Sequence, residues 1–292
     1  MAEVTVRPAT DDDVEAAVEV QAAAFADLDR RNNEPEHPLT DAQRKRAIQR
    51  HHHFIAHDPA GSWVAVDGHQ VVGCGLALRR DNLWGLSLLV VDPSAQSLGV
   101  GRRLIDATLT YAEGCERGAI LSSNDARAMR TYATSGFELF PQVAASGTPS
   151  VDAAPTSVGR VREGSTADGE FADELDRQVR GAGRGPDHAW IAEVAPMYVV
   201  DDSDGRGYAY LRDGDVYLLA ATDDDTATSL LWRCFAHAAD QGIDMSIEHI
   251  TGEQQWAIKA SLDAGLTIRP AGPVFWRGMT PPCAYLPSGA FL

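Results

Sequence analysis

Positive charge is scarce in this chain, lysine above all. Lys45 and Lys259 are the only lysines among 25 Lys and Arg, against 42 Asp and Glu, and the formal net charge is −17. A surface of that sign repels phosphates, which excludes a nucleic-acid partner. It could steer cationic substrates inward, or serve only solubility. No apolar run approaches the ~20 residues that a membrane helix needs. The start, MAEVTVRPATDDD, lacks the basic and apolar regions of a signal peptide, so a cytoplasmic protein without a membrane partner is expected. Cys74, Cys115, Cys234 and Cys283 lie far apart with no C-x-x-C, which excludes a disulfide framework and a cysteine zinc site; buried free thiols are expected. His53 and His57 have the spacing of two ligands on one helix face. Asp58-Pro59 closes that stretch at once, however, so a surface or the edge of a substrate pocket is expected there, and no metal. There is no Gly-Lys-Ser/Thr of a nucleotide-binding loop, and no third glycine of a dinucleotide fingerprint.

What is present is a strand–loop–helix pattern at residues 86–104, LSLLVVDPSAQSLGVGRRL. The apolar run 86–91 stops at Asp92-Pro93, a polar loop carries Gly99 and Gly101, and an amphipathic stretch follows. The first turn of a helix has N–H groups without intrahelical partners and the positive end of the dipole, so it suits an anion. Glycines there let a phosphate approach the main chain, and Arg102 and Arg103 add fixed positive charge.

Gln96-x-x-Gly99-x-Gly101, preceded by Val91-Asp92-Pro93, resembles the pyrophosphate-binding loop of the GNAT family of N-acetyltransferases. A second block, residues 125–137 (DARAMRTYATSGF), resembles the family's later motif through Ala128, Tyr132, Gly136 and Phe137, with Asp125 where an Asn is more usual. A strand-like segment, 119–123, lies between the blocks. The resemblance covers residues 1–140. It implies acetyl-CoA as co-substrate and no metal. It implies that the fourth strand splays from the fifth, and that in this wedge the backbone of Leu89, Val90 and Val91 bonds the pantetheine arm, where an N–H would polarise the thioester carbonyl. It further implies that Gln96, Ser97, Leu98, Gly99, Val100, Gly101, Arg102 and Arg103 meet the diphosphate side, with Asp125 and Ala128 also contacting the cofactor. Tyr132 matches the family tyrosine near the cofactor sulfur that can protonate the leaving thiolate. No base is visible: the fourth strand offers only Ser87, and water relayed to Asp81, Asp92 or a residue of 26–57 could serve.

The remaining chain fits the same plan. Residues 3–8 alternate like a strand, and Thr10 with Asp11, Asp12 and Asp13 forms an N-cap cluster for a helix. Thr40 opens a second helix. The segment 26–57 is where acceptor choice is expected, for a small-molecule or peptide amine. Residues 62–66 and 70–78 form a hairpin about Asp67-Gly68. Length suggests about two domains, and small residues with Pro and Gly dominate 141–159. Expected boundaries are therefore 1–145 for a catalytic domain, 146–160 for a linker, and 161–292 for a second domain with a docking tail.

That second domain reads as a copy. Residues 229–242 lie on 101–114 and 253–266 on 124–137, an internal repeat of roughly 130 residues. Its counterpart of the glycine loop is Asp224-Asp225-Thr226-Ala227-Thr228-Ser229, and Ser261 stands where Tyr132 stood. Acids beside a phosphate are unfavourable, so the copy is expected to be degenerate. The expected fold class is α+β, with two tandem GNAT-like domains, each a mixed, mostly antiparallel sheet flanked by helices. The expected function is N-acetyl transfer by direct attack, with a homodimer as the default assembly. A non-catalytic acyl-CoA-binding regulatory module is the alternative.

Overall fold

The computed structural model describes residues 4–292, so Glu3 of the expected first strand lies outside it. The chain divides into two compact units: the described residues through Ile120 with Asp125–Ser135, and Leu121–Asn124 with Gly136–Leu292.

The first unit runs β1 (Thr5–Pro8), α1 (Val14–Asn32), α2 (Asp41–His57), β2 (Ser62–Asp67), β3 (Gln70–Arg80), β4 (Leu83–Val91), α3 (Val100–Leu109), β5 (Arg117–Leu121) and α4 (Ala126–Thr134). Its strands lie in that order; β1 to β4 are antiparallel, and β5 runs parallel to β4. Helix α1 starts where the Asp cluster was noted: Thr10 and Asp13 make a capping box, and Arg7 clamps Asp13 with two 2.7 Å bonds. Helix α2 opens on a Thr40–Gln43 capping box and runs to His57. Beyond it the fully buried Asp58 carboxylate takes two bonds, 2.8 and 2.9 Å, from Arg80 at the end of β3. Glycines on β3 let α3 close on the sheet, since a Cβ at Gly75 would meet Thr108 at 3.0 Å and one at Gly73 would meet Leu104 at 2.9 Å. Val100 and Leu104 then pack with Ala65, Val72 and Ala95, which pins the first turn of α3.

The second unit begins with β6 (Glu138–Gly147), β7 (Arg162–Glu163), α5 (Gly169–Val179), α6 (Asp187–Val194), β8 (Met197–Asp202) and β9 (Gly205–Arg212). It continues with β10 (Asp215–Ala221), α7 (Asp224–Gln241), β11 (Met245–Thr251), α8 (Gln255–Asp263), β12 (Thr267–Arg277) and β13 (Tyr285–Leu286). Its sheet order is β7-β8-β9-β10-β11-β6-β12, with β13 also on β10. Only β10 and β11 are parallel, at Asp215↔Ser246. Strand β6, which straddles the end expected for the first domain at 145 and the expected linker, pairs antiparallel with both β11 and β12. Ala144 and Ala145 are fully buried in that strand. Its place follows from hydrogen-bond partners more than 90 residues downstream, which local composition does not reveal.

Each unit is thus a mixed, mostly antiparallel sheet flanked by helices. Cys74 and Cys234 are buried free thiols, Cys115 is half-buried and Cys283 exposed. Among the described residues, no helix is long and apolar enough to cross a membrane.

Candidate active site

Two irregularities of β4 make the site. Leu76 of β3 faces Leu88 and Ala77 of β3 faces Leu86, so Ser87 is an extra residue, a β-bulge. The parallel ladder to β5 ends at the same point, at Leu86↔Ile120. Among the described residues, 87–91 therefore have no strand partner on that side. Leu89 and Val91 are half-buried there, and the Ser87 Oγ is buried without a hydrogen-bond partner.

The chain leaves β4 through Asp92, whose carboxylate accepts from the Ser94 N–H at 2.9 Å. The Gln96 amide donates to the Val91 carbonyl at 3.1 Å and ties the loop to the strand end. Ser97 and Gly99 are left-handed, with φ of 63° and 78°. Gly99 is the N-cap of α3 and no side chain caps that helix. The first N–H groups of α3 therefore face outward without an acceptor from their own helix. A Cβ at Gly101 would meet only Val91, at 3.6 Å. Nothing in the fold itself demands a glycine at 101, and the space above its backbone is open. Leu98 is exposed and Val100 buried.

The two arginines are less free than the sequence suggests. Arg102 pairs with Asp106 one turn on, Nε to Oδ1 at 2.9 Å, and reaches Thr134 of α4 at 3.4 Å. Arg103 donates to the Val4 carbonyl at 2.6 Å. Asp125 is the N-cap of α4, accepting from the Arg127 N–H at 2.8 Å and from Arg31 of α1 at 3.1 Å. Burial would raise its pKa, but hydrogen bonds from Arg127 and Arg31 outweigh that and hold it at about 2. These bonds bring the C-terminal end of α1 to the start of α4, and the first turn of α3 to the end of α4. Ala128 is half-buried, one turn before Tyr132. Tyr132 is buried, and burial, with the charge of Asp125 adding to it, pushes its phenol well above the usual range. It stays protonated throughout the neutral region.

Sequence reasoning missed the Ser87 bulge, while the parting of β4 from β5 was expected from the family resemblance and is found where the ladder ends. The histidine run of α2, expected at a surface or pocket edge, is not all exposed: His51 is buried, its Nδ1 2.8 Å from the Ala47 carbonyl while its Nε2 has no partner. Among the described residues no group of three or more His, Cys, Asp or Glu could hold a metal. A hollow of about 780 Å³ in the first unit lies between α1 and the β2–β3 turn, lined by Glu19, Asp67, His69 and Asp92 among others. It includes neither residues 87–91 nor 96–103.

The second unit repeats the bulge: Val216 and Leu218 of β10 face Leu211 and Tyr210, so Tyr217 is the extra residue, 130 positions after Ser87. The helix start differs. Asp223 caps α7, its carboxylate accepting from the Thr226 N–H at 2.8 Å and the Thr226 hydroxyl at 2.9 Å. Gly205 on β9 makes room, since a Cβ there would collide with Thr226.

Residues 23–137 match the model of the Acetyltransferase (GNAT) family. That part of the chain is a GNAT acetyltransferase domain. Across the whole chain the fold is similar to that of a candidate acetyltransferase from Pyrococcus horikoshii, with a TM-score of 0.75 and 16% identity over 100% of this chain and 97% of the other. It is also similar to GCN5-related N-acetyltransferases from Kribbella flavida (TM-score 0.59, 17% identity, 94% and 70% covered) and Sphaerobacter thermophilus (0.59, 13%, 97% and 98%). No curated protein matches the chain.

Proposed function

We propose that the first unit is an acetyl-CoA-dependent N-acetyltransferase with one working site per chain. The observation that carries this is one continuous surface: an uncapped helix start with Gly99 and Gly101, joined to a strand edge that has lost its neighbour. The first feature fits a diphosphate. The second fits an extended, amide-bearing arm that takes the place of a strand, with Leu89, Val90 and Val91 supplying backbone donors and acceptors. Bound there, the thioester supplies an activated acetyl group. The chain's own part is to orient it, to offer a backbone N–H near the bulge to the carbonyl oxygen, and to return a proton. In the balanced step a neutral amine forms the C–N bond, the C–S bond breaks, the amine loses a proton and the thiolate gains one. Tyr132, held protonated, is the proposed donor.

A second reading has support in one fact: residues 87–91 contain no carboxylate or imidazole, so no base stands on the strand edge. An acyl-CoA-binding regulatory module would need none. Release of free CoA with a panel of small-molecule and peptide amines separates the two.

The test is a calorimetric titration with acetyl-CoA, read for stoichiometry. One site per chain, lost in Gly101→Glu, is expected. Two sites would overturn the asymmetry between the units, and no binding would end the enzyme reading.

A further inference from the structure

In the second unit the edge that corresponds to residues 89–91 is occupied. Leu219 and Ala220 of β10, each 130 positions after Leu89 and Val90, pair antiparallel with Leu286 and Tyr285. Ala221, the counterpart of Val91, donates its N–H to the Ala284 carbonyl at 2.9 Å. The β10–β11 ladder has only its pair at Asp215↔Ser246, so this short strand sits where the two part.

The rest of the segment is held by buried groups on the α5–α6 side. Arg184, fully buried and paired with Asp176 at 2.9 Å, donates to the Phe291 carbonyl at 2.7 Å and also bonds the Tyr285 hydroxyl. Arg180 donates to the Leu292 carbonyl at 3.0 Å, and the Tyr285 hydroxyl donates to that same oxygen at 2.7 Å. Trp190 of α6 packs against Phe291 with the rings tilted and their centroids 5.0 Å apart. Arg184 has the buried Asp176 and Arg180 has the Ala182 and Gly183 carbonyls beside it, and main-chain carbonyls of the segment supply further acceptors to both guanidiniums. A buried charge that loses such partners is costly, so the pocket selects a chain with carbonyls at these places.

We propose that the parting of β10 and β11 is a peptide-binding site, filled in cis by residues 284–292. It recognises an extended segment of the Ala-Tyr-Leu type by strand addition, with an aromatic hydroxyl and two downstream carbonyls on Arg180 and Arg184. The site takes peptide and not acyl-CoA, because Asp223 already fills the helix start that would receive the diphosphate. This inference rests on the register of β10 and not on the proposed activity, so either can fail alone.

The test uses the full chain with a protease site inserted after the exposed Gly278, cut once the protein has folded. The cut segment is expected to stay bound through gel filtration and to exchange with a labelled synthetic peptide of residues 279–292. The same peptide carrying Tyr285→Ala and Leu286→Asp should bind at least about tenfold more weakly, and excess acetyl-CoA should displace neither. Loss of the segment with no uptake of labelled peptide overturns the proposal, as does displacement by acetyl-CoA. If the cut chain unfolds, hydrogen exchange on the intact chain decides. Exchange of the Ala221 amide together with those of 285–292 supports the site, and independent exchange of Ala221 overturns it.

Discussion

Helices α3 and α7 start in the same place in their units, after a bulged strand that parts from its parallel neighbour. Helix α3 starts on Gly99, without a side-chain cap. Helix α7 starts on Asp223, whose carboxylate accepts from the Thr226 N–H in the first turn. Strand β4 ends with one edge bare, whereas β10 ends with β13 on the equivalent edge. On the proposed reading, a ligand site of this kind is closed in the second unit by bonds from the chain itself, and the contrast points to the bonds the first unit has to offer. They are N–H donors for an anion at a helix start and a strand-like set of amides.

The largest effect that would break this contrast is at Gly101. In Gly101→Glu a carboxylate enters the space above the first turn of α3, and acetyl-CoA affinity should fall by at least about 100-fold, through lost contacts and charge repulsion. The fold should hold, because the added Cβ meets only Val91, at ordinary contact distance. A calorimetric titration beside a thermal melt checks both. Undiminished binding would mean that the ligand sits elsewhere in the first unit.

Next in size is Tyr132→Phe. A lost proton donor should lower kcat by roughly 100-fold with KM for acetyl-CoA within about twofold. Because burial raises the Tyr132 pKa, its ionisation should put no alkaline limb on the wild-type rate profile through pH 9. A matching loss of acetyl-CoA affinity would make the residue a packing group.

The legible part of this site is its local part. Gly99, Gly101 and the uncapped start of α3 are readable because spacing within a few residues sets loop and helix geometry. The mostly antiparallel mixed sheet was readable for the same reason, from alternation and turn residues. The bulge at Ser87 was not, since it exists only in register with β3. The place of β6 and the occupation of β10 by residues 284–286 depend on partners far along the chain. Asp125 shows another limit: a match to a motif does not reveal the bonds its carboxylate makes to Arg31, Arg127 and the start of α4.

A buried histidine extends the comparison to the helices before the sheets. His188 of α6 has Asp176 at 3.0 Å and the Tyr210 hydroxyl at 3.3 Å, whereas His51 of α2 has only Ala47. Burial lowers the His51 pKa from 6.5 to about 4. The unfolded chain then takes up a proton at a pH where the folded one does not, so stability falls as pH drops from about 6.5 to about 4. His51→Gln should remove that share of the loss, on the order of 2–3 kcal/mol at pH 4, measured by urea unfolding across the range. An unchanged slope would assign the acid sensitivity to other groups.

The smallest effect bears most directly on the two helix starts. Asp223→Ala removes the cap of α7, and an N-cap of this kind contributes about 1 kcal/mol, so the melting temperature should drop by a few degrees. Acetyl-CoA stoichiometry should remain one per chain, because β13 still covers the strand edge even after the helix start is freed. Should Asp223→Ala gain a second equivalent, the carboxylate alone would have been the barrier, and the segment on β10 would be a loose strand that a ligand can push aside. If stoichiometry holds while stability falls, the closure of the second unit rests on two separate substitutes: a side chain for the anion and a stretch of main chain for the arm.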